Sequence, residues 1–388
     1  MLKNILLAYK NKFQNKLNGK VTIGTKNKKG VILLSYLTDP FIQLPSEIIS
    51  DPHASYWECK EIVRLFNSIG YEVDVINWWN NKFVPKKKYS VCIDVQQNLE
   101  RLSKYLPMDC KKIMHIVGAN SSFQNQAENN RLEELFQRRH VRLKQRRQIK
   151  TNHNELVADD LEGFGNDTIH KTYAKSKKEI FPIHESVSKI FDFPKNKDFD
   201  KARKNFLWFG GGGAVHKGLD MVLEAFSSMN NYNLHIIGPV LSEEDFANEY
   251  KEELSLPNIK VYGRPKLSKE GNLLVNGKPF EEIADLCSGL IYLSCSEGTS
   301  GAVVQAMHAG LIPIITPETG INDNSPAIII EKPTIENIRS VVLDISNKTE
   351  EEIRILSLSN WNFARQFYTK EQFTNTYREF INNILKIK

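Results

Sequence analysis

The chain has 388 residues, 41% of them hydrophobic and 25% charged, with a formal net charge of +6. That length favours two domains over one, and the composition is that of a globular enzyme, not of a disordered or fibrous chain. No apolar run approaches the ~20 residues of a membrane-spanning helix, and the mild positive charge tolerates anionic partners without arguing for nucleic acid.

The opening MLKNILLAYKNKF has too short an apolar stretch for a signal peptide and lacks a small-residue cleavage site. GVILLSYL (30–37), bounded by Gly and Asp-Pro, predicts a buried parallel strand. A long polar loop then runs to His53, and loops above ~12 residues in such units tend to be functional. The spacing of Trp57, Ile62, Leu65, Phe66 and Ile69 predicts a helix over 54–69, stopped by Gly70. Strands are predicted at 71–78, 89–95, 111–118, 156–164 and 178–183, with helices between them. That alternation is one doubly wound α/β unit.

His115 lies in the strand 111–118 and reads either as a cleft residue or as a satisfied core histidine. Asn120, Gln124 and Glu128, just after it, are either ligand contacts or turn and cap residues. Residues 131–150 carry eight basic side chains against two acidic ones. They read as a solvated helix face or as a peripheral contact with anionic lipid. No recognised nucleic-acid motif accompanies them. Asn166 or Asp167 is placed to cap a helix.

Residues 192–205 are polar and aperiodic and read as a linker. Asp198-Phe199-Asp200 spells D-x-D within it, where metal binding is not expected. The pattern then restarts: strand from Phe206, helix 217–229, strand 232–238, helix 243–254, strand 259–263, helix 280–287, strand 289–295, helix 301–309 and strand 311–316. Asn276-Gly277 predicts a small hairpin within 271–280. Helical stretches at 334–358 and 361–387 close the chain. The expected division is 1–192 and 193–360, with the last helix, about 361–388, packing back on the first domain. Two such units facing each other form a cleft at the carboxyl ends of their strands. The five cysteines are widely spaced, with no C-x-x-C pair, and predict reduced thiols of a cytoplasmic protein.

FLWFGGGGAVHKGLD (206–220) carries the sharpest signal. It fails both the Walker loop and the G-x-G-x-x-G fingerprint. What remains is a strand, a glycine turn at Gly211, Gly212 and Gly213, and a helix start, an arrangement that suits an anion. Lys217 in the first helical turn opposes the dipole unless an anion docks there; the alternative is a solvated lysine on a sharp turn. CSEGTSGAVVQAMHAGLIPIIT (295–316) places Glu297 at a strand end. Gly298, Thr299, Ser300 and Gly301 follow as backbone donors, with Gln305 further along the helix.

These segments, with YNLHIIG and IKVYGRP between them, make 205–316 resemble the retaining, nucleotide-sugar-dependent glycosyltransferases of family four. The first half matches only in its α/β rhythm. The resemblance implies a GT-B fold, two Rossmann-like domains around a central cleft. It implies transfer from a UDP- or GDP-sugar to a hydroxyl of a glycan or lipid-linked glycan, with retention, as in surface polysaccharide synthesis. No metal or other cofactor is implied. The site implied is cytoplasmic, including the inner face of the membrane. Lys217 would hold the donor diphosphate over Gly211 to Gly213, Glu297 the sugar, the 299–301 amides a phosphate, and Arg264 the base. His115 would stand near the donor sugar, and His53, Asn120 and Gln124 would touch the acceptor. Two positions depart from the pattern: Gln305 replaces a carboxylate that reads the ribose, and no arginine precedes Lys217. The alternatives are a catalytically silent sugar-binding or assembly subunit and a nucleotide-sugar epimerase.

Overall fold

The structure is a computed structural model that describes residues 10, 13, 19–42, 54–268 and 271–386. The first domain is built on strands β1 (Val21–Ile23), β2 (Gly30–Tyr36), β3 (Tyr71–Asn77), β4 (Val91–Asp94), β5 (Lys111–Ile116), β6 (Asp160–Gly163) and β7 (Ile180–Pro182). Their spatial order is β1-β3-β2-β4-β5-β6-β7. Only β1 runs antiparallel. The parallel strands are near-continuous apolar runs because both faces of the sheet are covered. One face packs on α1 (Ser55–Ser68), whose Cys59, Ile62, Val63 and Phe66 point inward.

The second domain contains β8 (Asn205–Phe209), β9 (Asn233–Ile237), β10 (Ile259–Gly263), β11 (Lys266–Leu267), β12 (Leu273–Val275), β13 (Lys278–Pro279), β14 (Gly289–Tyr292), β15 (Ile312–Ile315) and β16 (Ile328–Ile329). Its main sheet, β10-β9-β8-β14-β15-β16, is all parallel. That order reverses between β8 and β14, which makes their carboxyl ends the switch point where such sheets bind ligands. The remaining three strands form the small antiparallel sheet, with Asn276 and Gly277 both at positive φ in its hairpin turn.

Two helices join the domains. α2 (Ser121–Arg139) starts at the end of β5, capped by the Asn120 side chain accepting from Ser122 N at 3.0 Å. Its far end leaves the first domain: Leu135 is fully buried in the core of the second, with Leu132, Val141 and Leu143 against the same core. Residues 132–143 thus pack on the second domain although they precede 192. At the other terminus, α6 (Glu350–Phe367) packs on the second domain beside α4 (Gly301–His308). The chain then crosses back, and α7 (Lys370–Leu385) lays Phe373, Tyr377, Phe380 and Ile381 into the first domain's core. Burying each of these contributes roughly 1.5–3 kcal/mol.

Several boundaries differ from the sequence reading. The stretch 156–164 is a helical turn, Asn154–Val157, followed by a shorter strand. Helix 243–254 breaks at Tyr250. The expected break near 359 falls inside α6; the chain breaks instead before it, after α5 (Ile335–Asn347), where Thr349 and Glu352 form a reciprocal capping box, and again after it, before α7. The linker holds one turn, Phe199–Ala202, capped by Asp198; Asp198 and Asp200 pair with Lys201 and Arg203. All five cysteines are buried and free. Among the described residues, no helix is long and apolar enough to cross a membrane.

Candidate functional site

At the switch point, β8 ends in the glycine turn and β14 ends in Tyr292. Lys217 is not in the first helical turn. It sits in the turn before α3 (Leu219–Phe226), with Gly218 as the helix cap at φ +72°. Trp208, fully buried on β8, fixes it by donating from Nε1 to the Lys217 carbonyl at 3.3 Å and stacking on Tyr292. The Lys217 ammonium thereby reaches across the switch point. It donates to the Tyr292 hydroxyl at 2.7 Å and to the Glu297 carboxylate. Tyr292 and Ser294 also donate to Glu297 Oε1, at 2.8 and 3.2 Å.

Burial opposes ionisation of Glu297, but the charges of Lys217 and Arg147 outweigh it and hold its carboxyl well below the usual range. Burial holds the Lys217 pKa below its usual value, with Glu297 offsetting part of that effect and the Arg147 charge adding to it. The pair is an ionised carboxylate and an ammonium in a desolvated wall. His216 beside it stays neutral: burial, then the Lys217 charge, brings its pKa down to about 3. Its Nε2 shares a hydrogen bond of 2.7 Å with the Ser296 carbonyl.

The wall faces a cavity of about 340 Å³ between the domains, lined by Trp78, Gln96, Asn120, Gln124, Arg147 and Glu297. The domains touch at its edge. A Cβ on Gly298 would lie 2.5 Å from the Val117 carbonyl oxygen at the end of β5, so only glycine fits there. Thr299 accepts from Gly165 N of the first domain at 3.2 Å, and Asn166, capping its own helix through Ile169 N, donates to the carbonyls of Pro317 and Ile321.

The basic stretch does something neither reading foresaw. Arg138 pairs with Asp220 and Glu224, Arg139 with Glu249 and Glu253, and Arg146 with Asp245. These arginines clamp the first domain to acidic helices of the second. Their charge is directed at protein carboxylates, not at solvent or lipid.

Other expected residues are placed as follows. His115 does not line the cavity. It points to the opposite face of β5, fully buried, with Nδ1 2.8 Å from the Glu162 carboxylate on β6. Burial alone would lower its pKa, but Glu162, and Glu58 beyond it, raise it. The glycine turn is already occupied: Glu243 accepts from Gly213 N at 2.5 Å and Ala214 N at 3.2 Å, while Gly211 and Gly212 stay exposed. Ser300 N donates to the Thr319 carbonyl, and Gly301, at the start of α4, faces the Glu185 carboxylate. Burial, then the charges of Glu58 and Glu297, push the Glu185 pKa well up. Gln305 has both ends of its amide engaged by the main chain of Lys189: Nε2 donates to the carbonyl at 2.7 Å and Oε1 accepts from the amide at 3.3 Å. It therefore presents no unused polar end toward a ribose in this conformation. Arg264 is exposed just past β10. Gln124 donates to the Arg147 carbonyl at 2.5 Å. His53 lies outside the described residues. Among the described residues, no group of three or more His, Cys, Asp or Glu side chains is arranged to hold a metal.

The sequence reading missed Tyr292, Glu243 and Arg147. Tyr292 is the last residue of β14, a position that faces a cleft, but the sequence pattern runs this strand on to Cys295 and so hides the strand end. Glu243 and Arg147 come from other elements and left no local signal.

No protein-family model matches the chain, and no well-characterised protein matches it by sequence. Solved structures do match its fold. Sucrose-phosphate synthase from Thermosynechococcus elongatus aligns over 92% of this chain and 99% of its own, with a TM-score of 0.63 at 11% identity. Anabaena HepE, solved with UDP and glucose, aligns over 92% and 99%, with a TM-score of 0.53 at 11% identity. TarM aligns over 77% of this chain, with a TM-score of 0.52 at 14% identity, and the match spans only 56% of TarM. These are GT-B glycosyltransferases, and the chain has the GT-B fold: two Rossmann-like domains facing a central cleft.

Proposed function

We propose that the protein is a glycosyltransferase. It moves a sugar from a UDP- or GDP-sugar to a hydroxyl of a glycan or lipid-linked glycan, with retention and without a metal ion, in surface polysaccharide synthesis. The observation that carries this reading is the Lys217–Tyr292–Glu297 cluster, set at the β8/β14 switch point and facing a cavity shared by both domains. The Anabaena HepE structure, whose fold this chain shares, holds UDP and glucose.

In this reading, the bond between the anomeric carbon and the diphosphate oxygen breaks as the acceptor oxygen bonds to the same face. The acceptor proton passes to the leaving phosphate. Lys217 stabilises the negative charge that grows on that phosphate, an effect strongest in a water-poor site. Glu297, held ionised, accepts hydrogen bonds from hydroxyls of the transferred sugar. The cavity receives the acceptor beside Asn120 and Gln124.

The test is a thermal-shift screen of UDP- and GDP-sugars, followed by donor hydrolysis with the best binder. Lys217→Ala is expected to weaken nucleotide binding by about 1.5–3 kcal/mol, one charge-assisted contact, with the fold retained. Equal affinity in variant and parent rejects the reading. A second reading, a silent sugar-binding subunit, is favoured by Gln305 being engaged by Lys189 and by Glu243 filling the glycine turn. Donor binding with neither hydrolysis nor transfer selects it.

A further inference from the structure

The arginines of residues 138–147 are not equivalent. Arg138 and Arg139 each contact two carboxylates, and Arg146 pairs closely with Asp245. Arg147 has only a long contact, 3.8 Å from its Nη2 to Glu297 Oε2, beyond hydrogen-bond range. Its Nε is buried and finds no acceptor among the described residues. A guanidinium carries five donors, and buried donors in native proteins are almost always paired. This one lies at the cavity wall, beside the carboxylate that already holds Lys217.

The placement is built, not incidental. Gly213 has φ +92°, and a Cβ there would meet Arg147 Cγ at 2.8 Å, so the arginine stem crosses the glycine turn at a distance that only glycine permits. The backbone beneath it is held from α2. The buried Glu128 carboxylate accepts from both Arg146 N and Arg147 N, at 2.7 and 2.8 Å. Gln124 holds the Arg147 carbonyl. The Lys144 amide and the Arg146 side chain anchor the same segment to Asp245 of the second domain. Much of the ordering cost of presenting this cation is therefore met before any ligand arrives. One carboxylate between two cations leaves a net positive charge facing the cavity. A planar fork of donors can grip two oxygens of a phosphate group at once.

We propose that Arg147, carried by the first domain, is the second cation of the donor's diphosphate site, so that a nucleoside diphosphate is gripped by both domains at once. The proposal rests on the glycosyltransferase reading.

The test is calorimetric titration of the full chain with UDP, GDP, uridine and guanosine, in the parent, Lys217→Ala, Arg147→Ala and Arg147→Lys. For the diphosphate the parent binds, Arg147→Ala is expected to weaken affinity by roughly 10- to 100-fold, with affinity for the matching nucleoside unchanged. Arg147→Lys, which keeps charge but loses the fork, is expected to fall between. If Arg147→Ala melts early, the Arg147→Lys comparison decides alone. Affinity within twofold of the parent in Arg147→Ala, or in Arg147→Lys where that variant decides, while Lys217→Ala is weakened, overturns the proposal and leaves the reading standing. An equal loss for nucleoside and diphosphate also overturns it, because the arginine is then acting through structure. A parent that binds neither diphosphate overturns the reading itself.

Discussion

Both domains are parallel sheets between helices, yet they keep their buried charges in different places. In the first, His115, Glu162 and Glu58 lie inside the core, with the rings of Tyr36, Phe164 and Tyr377 packed around the imidazole. In the second, Lys217 and Glu297 lie at strand ends beside a cavity. A core pair can exchange partners only with its neighbours, whereas a strand-end pair can exchange one partner for a ligand. The second domain's deep histidines are neutral, and its buried Asp220 carboxylate is paired with Arg138 of α2, whereas Glu297 stands at the cleft. Burial alone does not mark a functional charge; burial with access does.

The comparison breaks most visibly at Glu162. If the first domain's pair is structural, Glu162→Ala leaves the buried His115 ring and the Tyr377 hydroxyl without their shared acceptor and costs about 3–5 kcal/mol of stability. Replacing both partners, His115→Leu with Glu162→Leu, is expected to recover most of it. Chemical denaturation checks both, and a loss under 1 kcal/mol for the single variant contradicts the assignment. In the second domain, Glu297→Ala is expected to reduce transfer roughly 100- to 1000-fold while sparing affinity for the free nucleotide, which lacks the sugar to be transferred. Parallel loss of both would make Glu297 a scaffold for Lys217 instead.

Acidity sharpens the contrast. Burial lowers His216, His235 and His308 to about 3, 4 and 4. Below pH ~6.5 the unfolded chain takes up protons at these positions and the folded chain does not. Stability therefore falls with acidification, by about 1.4 kcal/mol per pH unit for each histidine, down to its folded value. His115 has the opposite sign: its raised pKa contributes stability that is complete below ~6.5 and lost as pH rises through the folded value. Denaturant titrations at pH 8, 6.5 and 5 should show the acid loss in the parent, and His308→Gln should reduce its slope by about a third. A parent curve flat from 6.5 to 5 contradicts the neutral assignment. The smallest effect is at Gln305. Gln305→Glu removes a donor from the Lys189 carbonyl and sets a carboxylate against it, so it should cost about 1 kcal/mol in stability and should not tighten nucleotide binding. Tighter binding in this variant would show that the side chain leaves Lys189 for the ribose.

Much of the second domain was legible because its signals are local. Apolar runs bounded by Gly mark β8, β9, β14 and β15, and the strand ends carry Lys217 and Glu297 within a few residues. Asn276-Gly277 announced its hairpin through the positive φ both residues adopt. What was not legible depends on distance along the chain. Arg147 reaches Glu297 across 150 residues, Glu243 reaches back to the glycine turn across 30, and Leu135 belongs to a core built largely after residue 205. His115 was ambiguous because a strand does not declare which face meets the cleft; Glu162 opposite it decided the matter. One signal was present and overlooked. Thr349 and Thr369, each followed three residues on by Glu or Gln, cap α6 and α7 and fix where the closing helices break.

The return of α7 to the first domain has a consequence for how the molecule comes into being. During synthesis the strands of the first sheet emerge before those of the second, but α7, which shares a core with α1, Ile32, Val73 and Ile93, is made after all of them. Until residues 370–385 leave the ribosome, that core has α1 over it but lacks Phe373, Tyr377, Phe380 and Ile381, while the second domain already holds β8 to β16. The nascent chain is therefore most exposed to aggregation early and in its first half. Stop codons after residue 369 should yield a protein whose second domain folds and whose first domain is recruited by chaperones, although not one of the first domain's strands is missing.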